Sequence, residues 1–144
     1  MDWAVGRGRV GTEWRFYFIP GEHKPSSLVP DVAYVSYERL PQDVQPRDAL
    51  ERPRIAPDIA VEIWSPGDRE KSFAEKVGLY LAHGARVVIA VYPAASLENR
   101  KIVVHGAAGS AVFPASGVLR VPGYEDLVLD VDALFADLGP FEET

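Results

Sequence analysis

The stretch Arg54–Tyr80, RIAPDIAVEIWSPGDREKSFAEKVGLY, constrains the fold more than any other part of the chain. The run Ile59 to Trp64 is apolar except for Glu62, and it is short enough to be a strand buried on both faces. Ser65-Pro66-Gly67-Asp68 stops it, because proline and glycine favour a turn over a continued ladder. A helical pattern follows, with Phe73, Val77, Tyr80 and Leu81 on one face and Lys76 beside it, over Phe73 to His83. Gly84 suits the position just past a helix end. Arg86 to Tyr92, RVVIAVY, reads as a second buried strand. Strand, helix and strand in this span predict a right-handed crossover between parallel neighbours in one sheet.

The flanking sequence adds further strands. Glu13 to Ile19, EWRFYFI, predicts a strand with Trp14, Phe16 and Phe18 on one face. Pro30-Asp31 opens a second run, Val32 to Tyr37, since proline is tolerated where a strand need not yet donate. Lys101 to His105 predicts a short strand antiparallel to Arg86–Tyr92, and Val118 to Val121 another. Gly106 to Gly117 reads as small-residue linker, Gly21–Ser27 and Glu38–Pro57 as loops, and residues 1–11 as a poor start for packing. Asp130 is placed to cap a closing helix, Val131 to Leu138, with Leu134 and Phe135 inward. The expected fold class is therefore α/β: a mixed β-sheet with flanking helices.

A length of 144 residues fits a single domain, 1–144, and 47% apolar residues suffice for a core. No run of about 18 apolar residues exists, so no membrane span is expected. The start MDWAVGRGRV lacks the apolar segment of a signal peptide. With no cysteine there is no disulfide and no thiolate metal site. These features together give the expectation of a cytoplasmic protein. A net charge of −6 argues against a wholly basic nucleic-acid binder but leaves room for a local basic surface. Arg7, Arg9 and Arg15, and Arg47, Arg52 and Arg54, are the clusters to consider, with solvated surface charge as the plainer reading.

A carboxylate inside an apolar strand is costly unless something binds it. If the Asp31 and Glu62 strands are neighbours, two carboxylates meet at one end of the sheet. Hard divalent cations such as Mg²⁺ take oxygen ligands and keep several waters. A lysine close by could steady developing phosphoryl charge, and Lys76 is the best candidate because its helix follows the Glu62 strand; Lys71 is a weaker one. The plainer alternatives stay open: Asp31 and Asp58 as turn caps, and Glu62 on a sheet face paired with Lys or Arg. Trp14, Phe16, Phe18 and Trp64 read as packing residues. His23, His83 and His105 have no ligand spacing.

PDVAYVSYERL (Pro30–Leu40), PDIAVEIWSP (Pro57–Pro66), Glu75-Lys76 with Tyr80, and Gly84 leading to VVIAVYP (Val87–Pro93) together resemble the Uma2 family, also called DUF820. VPGYEDLVLDVDALF (Val121–Phe135) resembles the family's closing segment. The family is restriction-endonuclease-like and belongs to the PD-(D/E)XK nuclease superfamily. The resemblance implies that Asp31 is the aspartate of the Pro-Asp motif and Glu62 the acid of the second half-motif. The superfamily's lysine position holds Trp64 here, and the lysine moves to Lys76. Asp58 matches a recurrent acid of less defined role, and Ser72 stands where relatives often carry aspartate. Family members also carry a helix-rich segment before the strand at Glu13, so the resemblance implies an N-terminally truncated member whose uncovered apolar face favours pairing with a second copy.

The resulting expectation is a Mg²⁺- (or Mn²⁺-) dependent endonuclease hydrolysing DNA phosphodiester bonds. Its catalytic set is Asp31, Glu62 and Lys76, its metal ligands are Asp31 and Glu62, and it acts as a homodimer. The alternatives are a catalytically inactive nuclease-fold module for binding or assembly, and a small structural domain with no site.

Overall fold

The computed structural model describes residues 2–17, 27–43, 55–65, 68–93 and 100–138. Its centre is a six-stranded mixed sheet in the order β1-β4-β5-β6-β7-β8. The strands are β1 (Gly8–Gly11), β4 (Val32–Ser36), β5 (Ile59–Ile63), β6 (Val87–Tyr92), β7 (Lys101–Gly106) and β8 (Gly109–Pro114). β5 and β6 are parallel and joined through helix α1 (Glu70–Ala82), as the strand–helix–strand pattern requires; every other pairing is antiparallel. Two short strands, β2 (Phe16–Tyr17) and β3 (Ser27–Leu28), pair apart from this sheet. β9 (Val118–Val121) and β10 (Tyr124–Asp130) form an antiparallel ribbon that leads into helix α2 (Val131–Leu138).

The alternation of β5 sets up the two faces. Ile59 packs with Val87, Ile89, Val91, Ile102 and Val104 against the ribbon and α2, through Leu119, Val121, Leu127, Val131 and Phe135. Ala60 packs with Val88 and Ala90 on the opposite face, under Phe73, Val77 and Tyr80 of α1. The alanines matter here. Ala60 and Ala90 are fully buried, and their small side chains leave room for the Tyr80 ring, also fully buried. Glu62 stands two residues beyond Ala60, so the strand's period turns it towards α1 as well.

Helix α1 ends in a Schellman motif. Ala85 N–H donates to Tyr80 O at 2.9 Å, and Gly84 N–H to Leu81 O at 3.1 Å. Gly84 has φ +104°, a left-handed conformation that glycine adopts without a Cβ penalty. α2 begins as its sequence suggests: Asp130 Oδ1 accepts from Ala133 N–H at 3.0 Å. Among the described residues no helix is long and apolar enough to cross a membrane.

Four expectations change. The strand expected over Glu13–Ile19 shrinks to Phe16–Tyr17, with Glu13 at φ 53° ahead of it and residues 18 and 19 outside the described set. Residues 1–11 hold a 3-10 turn, Asp2–Ala4, and the edge strand β1. Gly8 sits so close to β4 that an added Cβ would collide with the Val35 carbonyl oxygen, so this segment packs where a poor start was expected. Gly106–Gly117 is not a linker but contains most of a hairpin, because β8 takes its order from pairing with β7. α1 also starts three residues earlier than its apolar face, at Glu70. The loop expected over Gly21–Ser27 lies outside the described residues up to 26, as does most of Glu38–Pro57.

Candidate active site

Glu62 is only 4% exposed. Its Oε1 accepts a hydrogen bond from Tyr80 Oη at 2.8 Å. Burial is the main force on its acidity, and lifts the carboxyl from the ordinary 4.5 to about 7. The Tyr80 hydrogen bond and the charge of Lys76 pull the other way, while the charges of Asp31 and Asp68 add to the rise. The Tyr80 hydroxyl is itself pushed up, first by burial and then by the Glu62 charge.

Asp31 lies where β4 begins, directly beside β5. Val32 pairs with Val61 and Ala33 with Ala60, so the ladder extended by one residue sets Asp31 against Glu62. Two hydrogen bonds fix it there: Asp31 N–H donates to Val61 O at 3.0 Å, and Asp31 Oδ2 accepts from Ile63 N–H at 2.7 Å. The side chain is exposed, but it is turned back onto β5 rather than left loose in solvent. Lys76 precedes Tyr80 by one helical turn and shares its side of α1. Asp68 closes the turn after β5, with Oδ2 accepting from Ser65 N–H at 2.8 Å. The structure thus brings Asp31, Glu62 and Lys76 to one end of the sheet, with Asp68 beside them. Lys71 and Ser72 are exposed in the first turns of α1.

Tyr80 is the residue that pattern reading placed on the apolar face without seeing its bond. The available signal was a hydroxyl-bearing ring four residues after Lys76, on a helix expected to cover the Glu62 strand.

Asp58 plays a different part. It is 1% exposed at the opposite end of β5. Ser36 N–H donates to its Oδ2 at 2.7 Å, and Arg39 Nε and Arg86 Nε lie 3.1 and 3.7 Å from its Oδ1. Arg39 also donates to the carbonyls of Ala56, Pro57 and Gly84. Asp58 and Arg39 therefore clamp β4, the start of β5 and the end of α1 together. The turn-cap alternative for Asp58 understated this.

The early arginines are largely spent on the chain itself. Arg7 pairs with Asp126, Arg9 donates to the carbonyls of Leu40, Pro41 and Gln42, and Arg15 bonds Ser27. Arg47, Arg52 and Arg54 lie outside the described residues. Trp64 packs with Phe73 and Tyr92, at ring separations of 5.6 and 6.0 Å.

Among the described residues no group of three or more His, Cys, Asp or Glu side chains could hold a metal ion. The Asp31–Glu62 pair is a two-carboxylate set. Each acid has one oxygen hydrogen-bonded within the chain, and its other oxygen has no hydrogen-bond partner among the described residues. Such hard, sparse oxygen donors suit Mg²⁺ or Mn²⁺, which are commonly held by one or two carboxylates and complete their shells with water and phosphate. They do not make a structural zinc site, which is closed by four Cys or His ligands.

The model of the Uma2 family, described as "Putative restriction endonuclease", matches residues 2–110. A solved structure, "a putative nuclease belonging to DUF820 from Anabaena variabilis ATCC 29413", is 25% identical with a TM-score of 0.72, covering 92% of this chain and 70% of that one. No curated protein matches. With the family model spanning most of its length, from the edge strand β1 to the start of β8, the chain belongs to the Uma2 family.

Proposed function

We propose that this chain is a divalent-metal-dependent endonuclease that hydrolyses DNA phosphodiester bonds, acting through a single domain, 1–144. The observation that carries the reading is the placement of Asp31 and Glu62 on adjoining strands, with the charge of Lys76 reaching the buried Glu62 carboxyl. Asp31 and Glu62 would hold Mg²⁺ or Mn²⁺. When bound, such an ion polarises a phosphoryl oxygen and offsets charge on the leaving oxygen.

The chain's own residues do the rest. The Tyr80 hydroxyl fixes one Glu62 oxygen and so aims the other. The Ile63 amide does the same for Asp31. Lys76, held half-buried on α1, supplies a cation that can stabilise the extra negative charge on phosphorus-bound oxygens or orient the attacking water. Cutting both strands of a duplex suits a two-fold homodimer, in which each copy faces one strand. We place the protein in the cytoplasm, in keeping with its lack of cysteine.

The test is duplex cleavage with Mg²⁺ by the wild type and by Glu62→Ala and Lys76→Ala. Removing a group that acts on the transition state should cost about 10²-fold or more in rate. Equal activity in wild type and Glu62→Ala would remove Glu62 from the mechanism. Absence of Mn²⁺ binding by calorimetry would favour the inactive binding module instead.

A further inference from the structure

A cavity of about 320 Å³ opens between α1 and the sheet; Trp64, two residues past Glu62, is part of its lining, while Asp31 and Glu62 themselves are not. Three aromatic residues form part of its wall: Trp64, Phe73 and Tyr92, with ring centroids 5.5–6.0 Å apart. Trp64 follows Glu62 by two residues, one past the end of β5, and packs on the same side of the sheet against Phe73 of α1. The opposite wall is the stripe Glu70, Ala74 and Gly78 of α1, at helical spacing. Polar groups are few: the Glu70 carboxylate, whose charge reaches Tyr92, and His105. Lys101 lies with its ammonium 5.0 Å from the centre of the Tyr92 ring.

Gly78 is the second observation. Glycine inside a helix is unfavourable relative to alanine. Here no neighbour demands it, because an added Cβ would meet nothing within 4 Å. Gly78 is an exposed residue of the cavity's lining. Aromatic walls, a volume ample for one heterocycle and a carboxylate able to accept N–H bonds together describe a receptor for a flat, N–H-bearing ring. The cation on Tyr92 then falls where the ring's phosphate could lie.

We propose that this cavity receives one unpaired nucleobase of a DNA strand whose backbone passes the Asp31–Glu62 pair. The proposal rests on the nuclease reading above and adds to it: the protein takes a strand with a base unstacked, and Glu70 favours bases that present N–H donors.

The test uses the full chain in EDTA, so that binding is read without cleavage. The probes are a single-stranded oligodeoxynucleotide carrying 2-aminopurine and the same strand with an abasic site in its place. A stacked base is worth roughly five- to 150-fold in affinity. The wild type should therefore bind the 2-aminopurine strand at least about fivefold more tightly than the abasic strand, with its emission quenched. Gly78→Leu, which fills the cavity, should erase that preference while the melting temperature holds; should it unfold, Ala74→Leu fills the same space from the next turn. Equal binding of both strands by the wild type, no binding of either, or a preference that survives the filled cavity overturns the proposal. Mg²⁺-dependent cleavage of a duplex, wild type against Glu62→Ala, reads the nuclease proposal separately. A cleaving protein indifferent to the base loses only the cavity, and a base-selective protein that does not cleave loses only the nuclease.

Discussion

At the scale of single residues, the two buried acids, Asp58 just before β5 and Glu62 within it, differ in what surrounds them. Asp58 has two arginines and a backbone amide. Glu62 has one tyrosine hydroxyl and only the more distant charge of Lys76, so burial dominates and its carboxyl rises to about 7. Between the ordinary 4.5 and about 7 the folded chain keeps a proton that the unfolded chain has released. The stabilising contribution is complete below about pH 4.5 and is lost as pH rises through about 7, a span of roughly 3 kcal/mol. In chelator, denaturant midpoints of the wild type should fall between pH 5 and pH 8 relative to Glu62→Gln, which carries no such proton. Parallel pH profiles for the two proteins would contradict the assignment. Asp58 gives the opposite experiment. Arg39→Ala leaves a buried carboxylate short of its main cation, and should cost about 3–5 kcal/mol in chemical denaturation. A loss under about 1 kcal/mol, the range of exposed pairs, would show that Arg86 suffices alone.

At the scale of elements, α1 carries two glycines with opposite meanings. Gly84 closes the helix at φ +104°, where an alanine is strained. Gly78 sits in the helix interior with open space around it. Gly84→Ala should therefore destabilise by about 1 kcal/mol, and Gly78→Ala should stabilise by a similar amount. Thermal melts of the two variants read both signs at once. The elements that were legible in the chain are those whose own residues carry the pattern. β5, α1 and β6 have apolar periods and punctuation at their ends, and Asp130 marks the start of α2. β1, β8 and most of β10 were not legible. Gly8–Gly11 and Gly109–Pro114 hold small residues with little alternation, and they are strands because β4 and β7 offer them hydrogen-bonding edges. The strand expected over Glu13–Ile19 is only partly present, for the converse reason. Its aromatic side chains suit a pleated surface, yet the described part pairs only at Phe16 and Tyr17.

At the scale of the whole molecule, the proposed metal couples the site to the fold. An ion that binds the folded chain alone adds about 2.7 kcal/mol at a hundred times its dissociation constant, a rise of several degrees in melting temperature. Mn²⁺ should produce that rise in the wild type, more strongly at pH 8 than at pH 6, because Glu62 must lose its proton to act as a ligand. Asp31→Ala should abolish it. An equal rise in that variant would place the ion elsewhere. Asp31, Glu62 and Lys76 could be named from residue order, because an acid in an apolar strand and a lysine on the next helix are visible there, and the family's motifs point to the same three. Order along the chain set Asp58 at the entrance of the strand and Glu62 inside it, but did not show what surrounds each. Which acid is neutralised by arginines depends on Arg39 and Arg86, brought in from beyond β4 and beyond α1.

Apolar period, punctuation by proline and glycine, and the types of the charged residues were sufficient to predict an α/β chain with a parallel strand pair and an acid set within an apolar strand. These are local properties, and each can be read from a few adjacent residues. The pairing of the poorly patterned edges, the hydroxyl of Tyr80 on Glu62, the arginine clamp on Asp58 and the aromatic cavity beside Gly78 came from folding. Each depends on groups from separate segments meeting at a distance that the linear order does not encode.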